Sequence, residues 1–214
     1  MELYETEEQQ VEALQKWWKE NSTSAMVGLG IAISAILGWN YWLDYKKEVN
    51  GKASVVYDQL LKDVNESKNT EIDTISKQLK DNFDSTEYAN YSVLLQAKTK
   101  VESGDLAGAK ELLQNLANQS NDLSQLAKLR LVRLYLATSE YEKGLQLIGQ
   151  VDKKNIASFE GNYDELVGDL YVALDRVDEA RTSYEKAIRD GYKSPLLQFK
   201  LDDLTAPEKL ESVK

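Results

Sequence analysis

The chain has 214 residues, 42% hydrophobic and 29% charged, which is enough for one or two domains with a real core. Its 36 acids against 26 bases, a net charge of −10, speak against nucleic acid, whose phosphates demand a basic stripe. The absence of Cys and His excludes thiol nucleophiles, disulfides, Cys/His zinc and imidazole chemistry, while two Pro and 11 Gly leave few helix breakers.

Residues 1–22 read as an acidic amphipathic tail. Val11, Leu14 and Trp18 fall on one helical stripe among Glu and Gln, which predicts an amphipathic helix leading into the next segment. A frayed tail without a partner is the alternative.

Residues 23–45 predict a transmembrane helix. No charge occurs from Asn21 to Leu43, between Glu20 and Asp44, and about 20 apolar residues suffice to cross a bilayer. Trp17 and Trp18 flank one end and Trp39, Tyr41 and Trp42 the other, at the depths where amphipathic rings favour the headgroups. Trp18 to Trp39 covers roughly 31 Å at ~1.5 Å per residue. A cleavable signal is disfavoured by the acidic leader and by the bulky Trp-Asn-Tyr-Trp end, so the segment reads as a retained anchor. Gly30, Ser34 and Gly38 share one face and form a candidate contact for a partner helix, although glycines are also common in spans. Lys16 and Lys19 precede the span and Lys46, Lys47 and Lys52 follow it, so a basic-residue count leans by one lysine toward a cytoplasmic C-terminal side.

Residues 46–85 read as a helical linker and N-terminal cap, with Ile72, Ile75 and Leu79 on one face of 71–83. Residues 86–205 contain a repeat. Gly104, Ser139 and Asp175 each open a window with an apolar residue two on (Leu106, Tyr141, Val177). A small residue follows three later (Ala109, Gly144, Ala180), and a large one four after that (Leu113, Ile148, Tyr184). The windows are 35 and 36 residues apart, near the about 34 of a tetratricopeptide helix–turn–helix unit. Small residues let paired helices cross closely, and no such unit buries its face alone, so stacked units form the core. Leu94, Leu95 and Ala97, then Leu131 and Tyr135, then Val167, Gly168 and Tyr171 supply the facing surfaces. Ser194-Pro195 predicts the start of a capping helix that packs Leu196, Leu197, Phe199, Leu201 and Leu204. Residues 206–214 read as a flexible C-terminus. The fold class is all-α: a single N-terminal transmembrane helix followed by a tetratricopeptide-like helical-repeat solenoid.

No phosphate loop, nucleophile elbow or metal-ligand cluster stands out, and acids such as Asp105 and Asp122 read as helix starts or solvated faces. A non-catalytic protein without cofactor or metal is expected. A solenoid offers a concave surface to another polypeptide, lined mainly by the first helix of each unit. Lys128, Arg130 and Arg133 stand on such a helix as groove candidates that could hold a carboxylate; pairing with neighbouring acids is the alternative. Tyr91, Tyr135, Tyr163 and Tyr171 suit either core or groove.

Met1-Glu2-Leu3-Tyr4-Glu5, Gln10-Val11-Glu12, the Trp17–Asn21 junction, Gly38-Trp39-Asn40-Tyr41-Trp42 and the Lys128–Arg133 stretch together resemble the bacterial YfgM-like family, the ancillary subunit of the SecYEG translocon. The resemblance extends over nearly the whole chain. It implies a single-pass inner-membrane protein with a cytoplasmic N-terminus and periplasmic repeats, against the one-lysine bias. It further implies partners in the SecYEG translocon and the membrane-anchored periplasmic chaperone PpiD, with unfolded exported proteins as clients to be handed onward. A competing expectation is a membrane-anchored scaffold that faces the cytoplasm and binds peptide C-termini; a third, an enzyme with buried carboxylates, would need an acid with a raised pKa in a closed pocket.

Overall fold

The computed structural model describes residues 7–121, 123–151 and 159–204. Of these, 83% are helical and none lies in a strand. Helix α1 runs over Glu7–Asn65, α2 over Asn69–Asn82, α3 over Glu87–Glu102 and α4 over Leu106–Ala117. Then follow α5 (Ser124–Ala137), α6 (Tyr141–Gly149), α7 (Glu160–Ala173), α8 (Val177–Arg189) and α9 (Leu197–Asp203). The chain divides into two compact units, Met1–Lys52 and Ala53–Lys214.

The first unit is the leading part of α1. It contains the one described helix long and apolar enough to cross a membrane, and none of its apolar window is covered by protein. Met26, Ile31, Ile36 and Leu37 are all exposed, as a helix apolar on every side must be until lipid surrounds it. The aromatic residues pair at each end: Trp17 and Trp18 have ring centroids 6.5 Å apart, Trp39 and Trp42 5.2 Å. The Lys46 ammonium lies 4.7 Å from the Trp42 ring, a cation–π contact. Open space surrounds Gly30 and Gly38, and the Ser34 hydroxyl donates to the Gly30 carbonyl at 2.8 Å. The changes in composition near residues 22 and 45 are not breaks in the helix, because no Gly-Pro punctuation or cap accompanies them. Residues 1–6 lie outside the described set, and Val11, Leu14 and Trp18 are exposed.

In the second unit, Ala53 and Leu60 at the end of α1 pack on Ile72 and Leu79 of α2, all four inaccessible to solvent. From there the helices form antiparallel hairpins, α3 with α4, α5 with α6 and α7 with α8. Each hairpin turns at a residue with left-handed backbone: Gly104 (φ 85°), Ser139 (φ 59°) and Asp175 (φ 59°). At each, the next amide reaches five residues back, Asp105 N to Lys100 O, Glu140 N to Tyr135 O and Arg176 N to Tyr171 O, all at 2.8 Å. This is a Schellman closure, which satisfies carbonyls at the helix end and reverses the chain. Asp105 then caps α4, its Oδ1 accepting from Gly108 N at 2.9 Å.

The small residues sit at the helix crossings. Ala109, Gly144 and Ala180 are buried, and a Cβ on Gly144 would stand 3.0 Å from the Leu170 methyl groups. Two apolar clusters form in succession, one around Leu113, Leu116 and Leu131, the next around Val132, Leu166 and Leu170. A third, of Tyr184, Ala187 and Leu197, closes the far end.

The capping helix differs from the expectation. It begins at Leu197, two residues after Pro195, and only Leu197, Leu201 and Leu204 of the five apolar residues face the core. Leu196 and Phe199 are 60% and 70% exposed. Lys200 decides the rotation: its Nζ reaches Glu165 Oε1 at 2.9 Å and both Asp169 oxygens at 2.8 Å, drawing that side of α9 onto α7. Asp122 and residues 205–214, including the expected flexible C-terminus, lie outside the described residues.

Candidate functional site

A groove of about 320 Å³ lies between α3 and α5, the first helices of successive hairpins. Ala97 and Val101 from α3, Leu113 from α4 and Leu134 from α5 make it apolar. Lys98 and Glu102, bridged at 3.5 Å, and Arg130 and Arg133 bring the charge. The spacing follows from helix geometry: 97 and 101, like 130 and 134, are four apart and therefore share a face.

Arg130 and Arg133 differ from most other cations of this acidic chain. Arg130 is half-buried and donates from Nη1 to the Leu94 carbonyl at 3.2 Å. Neither arginine makes an ion pair among the described residues. Burial, and then the like charge of Arg133, pull the Arg130 pKa down. Two neighbouring guanidinium groups, one of them partly desolvated, favour an incoming anion, and their forked donors suit a carboxylate. The expected alternative, pairing with acids on adjacent helices, is therefore not what the described residues do. Lys128 also lacks an ion pair there but does not line the groove: two residues from Arg130, it is about 200° further round the helix.

The four tyrosines separate. Tyr163 is core, its hydroxyl reaching Gln125 Oε1 at 3.1 Å, and burial raises its pKa to about 12. Tyr135 packs against the first cluster, and Tyr171 lies under the Arg176 guanidinium at 4.4 Å. Tyr91 is exposed and joins Tyr57 and Tyr88, with centroids 5.4–6.5 Å apart.

Two other charged sites hold both signs. Glu160, Asp164 and Asp190 place carboxylate oxygens close together, but Lys186 Nζ sits among them at 3.2, 2.5 and 3.2 Å. A larger cleft of about 440 Å³ along α2, α3 and α4 is lined by Lys77 and Lys80 and by Asp81 and Asp84, two charges of each sign. Val101, Leu134 and the Leu94 carbonyl were not singled out by sequence, although Val101 stands four after Ala97 and Leu134 four after Arg130.

A profile for the tetratricopeptide repeat-like domain matches residues 15–206, most of the span helix and all the hairpins. The chain belongs to the tetratricopeptide repeat-like domain family. This family member is 29% identical over 202 residues to proteins named ancillary SecYEG translocon subunit from Aggregatibacter actinomycetemcomitans and Haemophilus influenzae, 92% of this chain and 97% of theirs. A protein of the same name from Escherichia coli is 26% identical over 210 residues, 96% of this chain and the whole of that one. No solved structure matches.

Proposed function

We propose that the chain is a non-catalytic, single-pass inner-membrane subunit associated with the SecYEG translocon. Its N-terminus is cytoplasmic and its repeats periplasmic. The span docks through Gly30, Ser34 and Gly38 against partner helices, and the α3–α5 groove receives a partner polypeptide, linking the channel to the membrane-anchored chaperone PpiD and helping hand over exported chains. The observation that carries this reading is the end-to-end match, over 92–96% of the chain, to proteins of that name. The matched region includes both the apolar helix and the repeats. The tether supports the mechanism, because anchoring both partners in one membrane raises their effective concentration and lets a weak groove suffice. The absence of His and Cys, and the engagement of the acidic clusters by Lys186 and Lys200, favour binding over catalysis.

Purification of the intact protein in mild detergent tests the reading. The wild type is expected to bring down translocon subunits and the periplasmic chaperone, and Arg130→Ser with Arg133→Glu to lose the chaperone while keeping the channel. Recovery of neither overturns it. The lysines at 46, 47 and 52 favour a second reading, a cytoplasmic scaffold for peptide C-termini. A reporter fused after Lys214 decides between them: activity confined to the periplasm removes the scaffold.

A further inference from the structure

Two surfaces of the repeat unit complement one another. The first is the α3–α5 groove, with its apolar lining of Ala97, Val101, Leu113 and Leu134 and the guanidinium groups of Arg130 and Arg133, neither of them in an ion pair among the described residues. The second is the outer face of α9. Leu196, Phe199 and Asp203 fall at i, i+3 and i+7, one stripe of the helix. Both apolar members are largely exposed, Asp202 and Asp203 are exposed beside them, and Asp203 has no ion pair among the described residues. Apolar knob followed by carboxylate answers apolar groove followed by guanidinium.

The turn of α9 explains why this face stays outward. Lys200 commits its ammonium to Glu165 and Asp169, and Leu197, Leu201 and Leu204 fill the core, so Leu196 and Phe199 must point away. Exposed large apolar residues on a capping helix are costly to solubility unless something covers them.

We propose that the α9 face of one copy docks in the α3–α5 groove of a second copy, Phe199 entering the apolar trough and Asp203 meeting Arg130 and Arg133. The contact is heterologous, a different patch on each partner, so one pair leaves a groove and an α9 face still open. It is small and therefore weak in free solution, but tethering both copies in one membrane raises their effective concentration. It rests on the groove reading above and adds a consequence: the second copy's α9 holds the groove until a partner polypeptide displaces it.

The experiment uses the full chain in proteoliposomes. Because the sequence holds no Cys, Lys98→Cys in one copy and Leu196→Cys in another give a unique pair to oxidise. Copies carrying them are expected to crosslink with each other and the crosslink to be lost on adding Phe199→Ser, whose site is exposed and whose change leaves the fold intact. Two charge variants sharpen the test by fluorescence transfer. Arg133→Glu alone and Asp203→Lys alone are each expected to lose self-association, whereas a mixture regains it, since one supplies an intact α9 and the other an intact groove. A monomer in the membrane, association indifferent to Phe199→Ser and Asp203→Lys, or a mixture that does not recover overturns the proposal. Phe199→Ser also separates it from the groove reading: co-purification with the chaperone should survive this change and be lost with Arg133→Glu, so that survival in both counts against the groove reading, whereas self-association that survives Phe199→Ser counts against the self-contact alone.

Discussion

Gly168 of α7 lies against the ring of Tyr184 of α8: a Cβ at Gly168 would stand 2.2 Å from Cε1 and 2.4 Å from Cδ1. Tyr184 is buried and cannot swing aside, because its hydroxyl donates to Asp169 Oδ1 at 2.7 Å. The hairpin thus fixes a small residue on each helix, Ala180 on one and Gly168 on the other. Gly168→Ala is expected to destabilise the repeat unit by about 1–3 kcal/mol through overpacking. Denaturant unfolding of the full chain, followed by far-ultraviolet dichroism, measures it.

Asp175 holds a left-handed backbone that costs a side chain about 1–2 kcal/mol. Asp175→Gly should relieve part of that strain, against the extra freedom glycine gives the unfolded chain. The expected net is a gain of roughly 0.5–1 kcal/mol. Ser139→Gly should behave alike, whereas Gly104→Ala should lose stability. Parallel thermal melts of the three variants check the signs.

Glu140 joins two hairpins: its carboxylate accepts from Lys110 of α4, Lys143 of α6 and Thr138, and these bonds lower its pKa to about 2. A carboxylate lowered on folding contributes stability that is present above its ordinary 4.5 and is lost as the pH falls toward 2. The melting temperature should therefore decline over that window, and Glu140→Gln should show a shallower decline. Equal slopes would remove Glu140 from the acid response.

Lys200→Met should free α9 from α7 by breaking the bonds to Glu165 and Asp169. Burial alone would lower the Lys200 pKa, yet those carboxylates raise it, which marks the contact as favourable to the charged form. The expected loss is about 1.5–3 kcal/mol, typical of hydrogen bonds to charged groups. Hydrogen exchange should rise first in Leu197–Asp203.

The repeat was legible because its turns impose one backbone requirement at equal spacing. Gly104, Ser139 and Asp175 look unalike as side chains, but all accept the left-handed conformation that closes a helix. The apolar run of α1 was equally plain, since a stretch without charge bounded by Glu20 and Asp44 needs no tertiary information. The direction of individual side chains was less legible. Pro195 marks a helix start locally, yet the capping helix begins where Leu197 can reach Tyr184 and Ala187. The outward turn of Phe199 depends on Lys200 finding acids some 31 to 35 residues upstream. In the groove, Arg130 and Arg133 were visible as cations, while Lys128 was set apart by helical phase and the apolar lining depended on how α3 meets α5.

Photo-crosslinking in living cells, with the reactive residue placed at Gly30 or Gly38 in the span and at Val101 in the groove, tests the tethered adaptor most directly. The account predicts adducts to a translocon subunit from the span and to a periplasmic chaperone or exported chain from Val101. Adducts from Val101 confined to cytoplasmic proteins, or none from either region to the translocon, would contradict it.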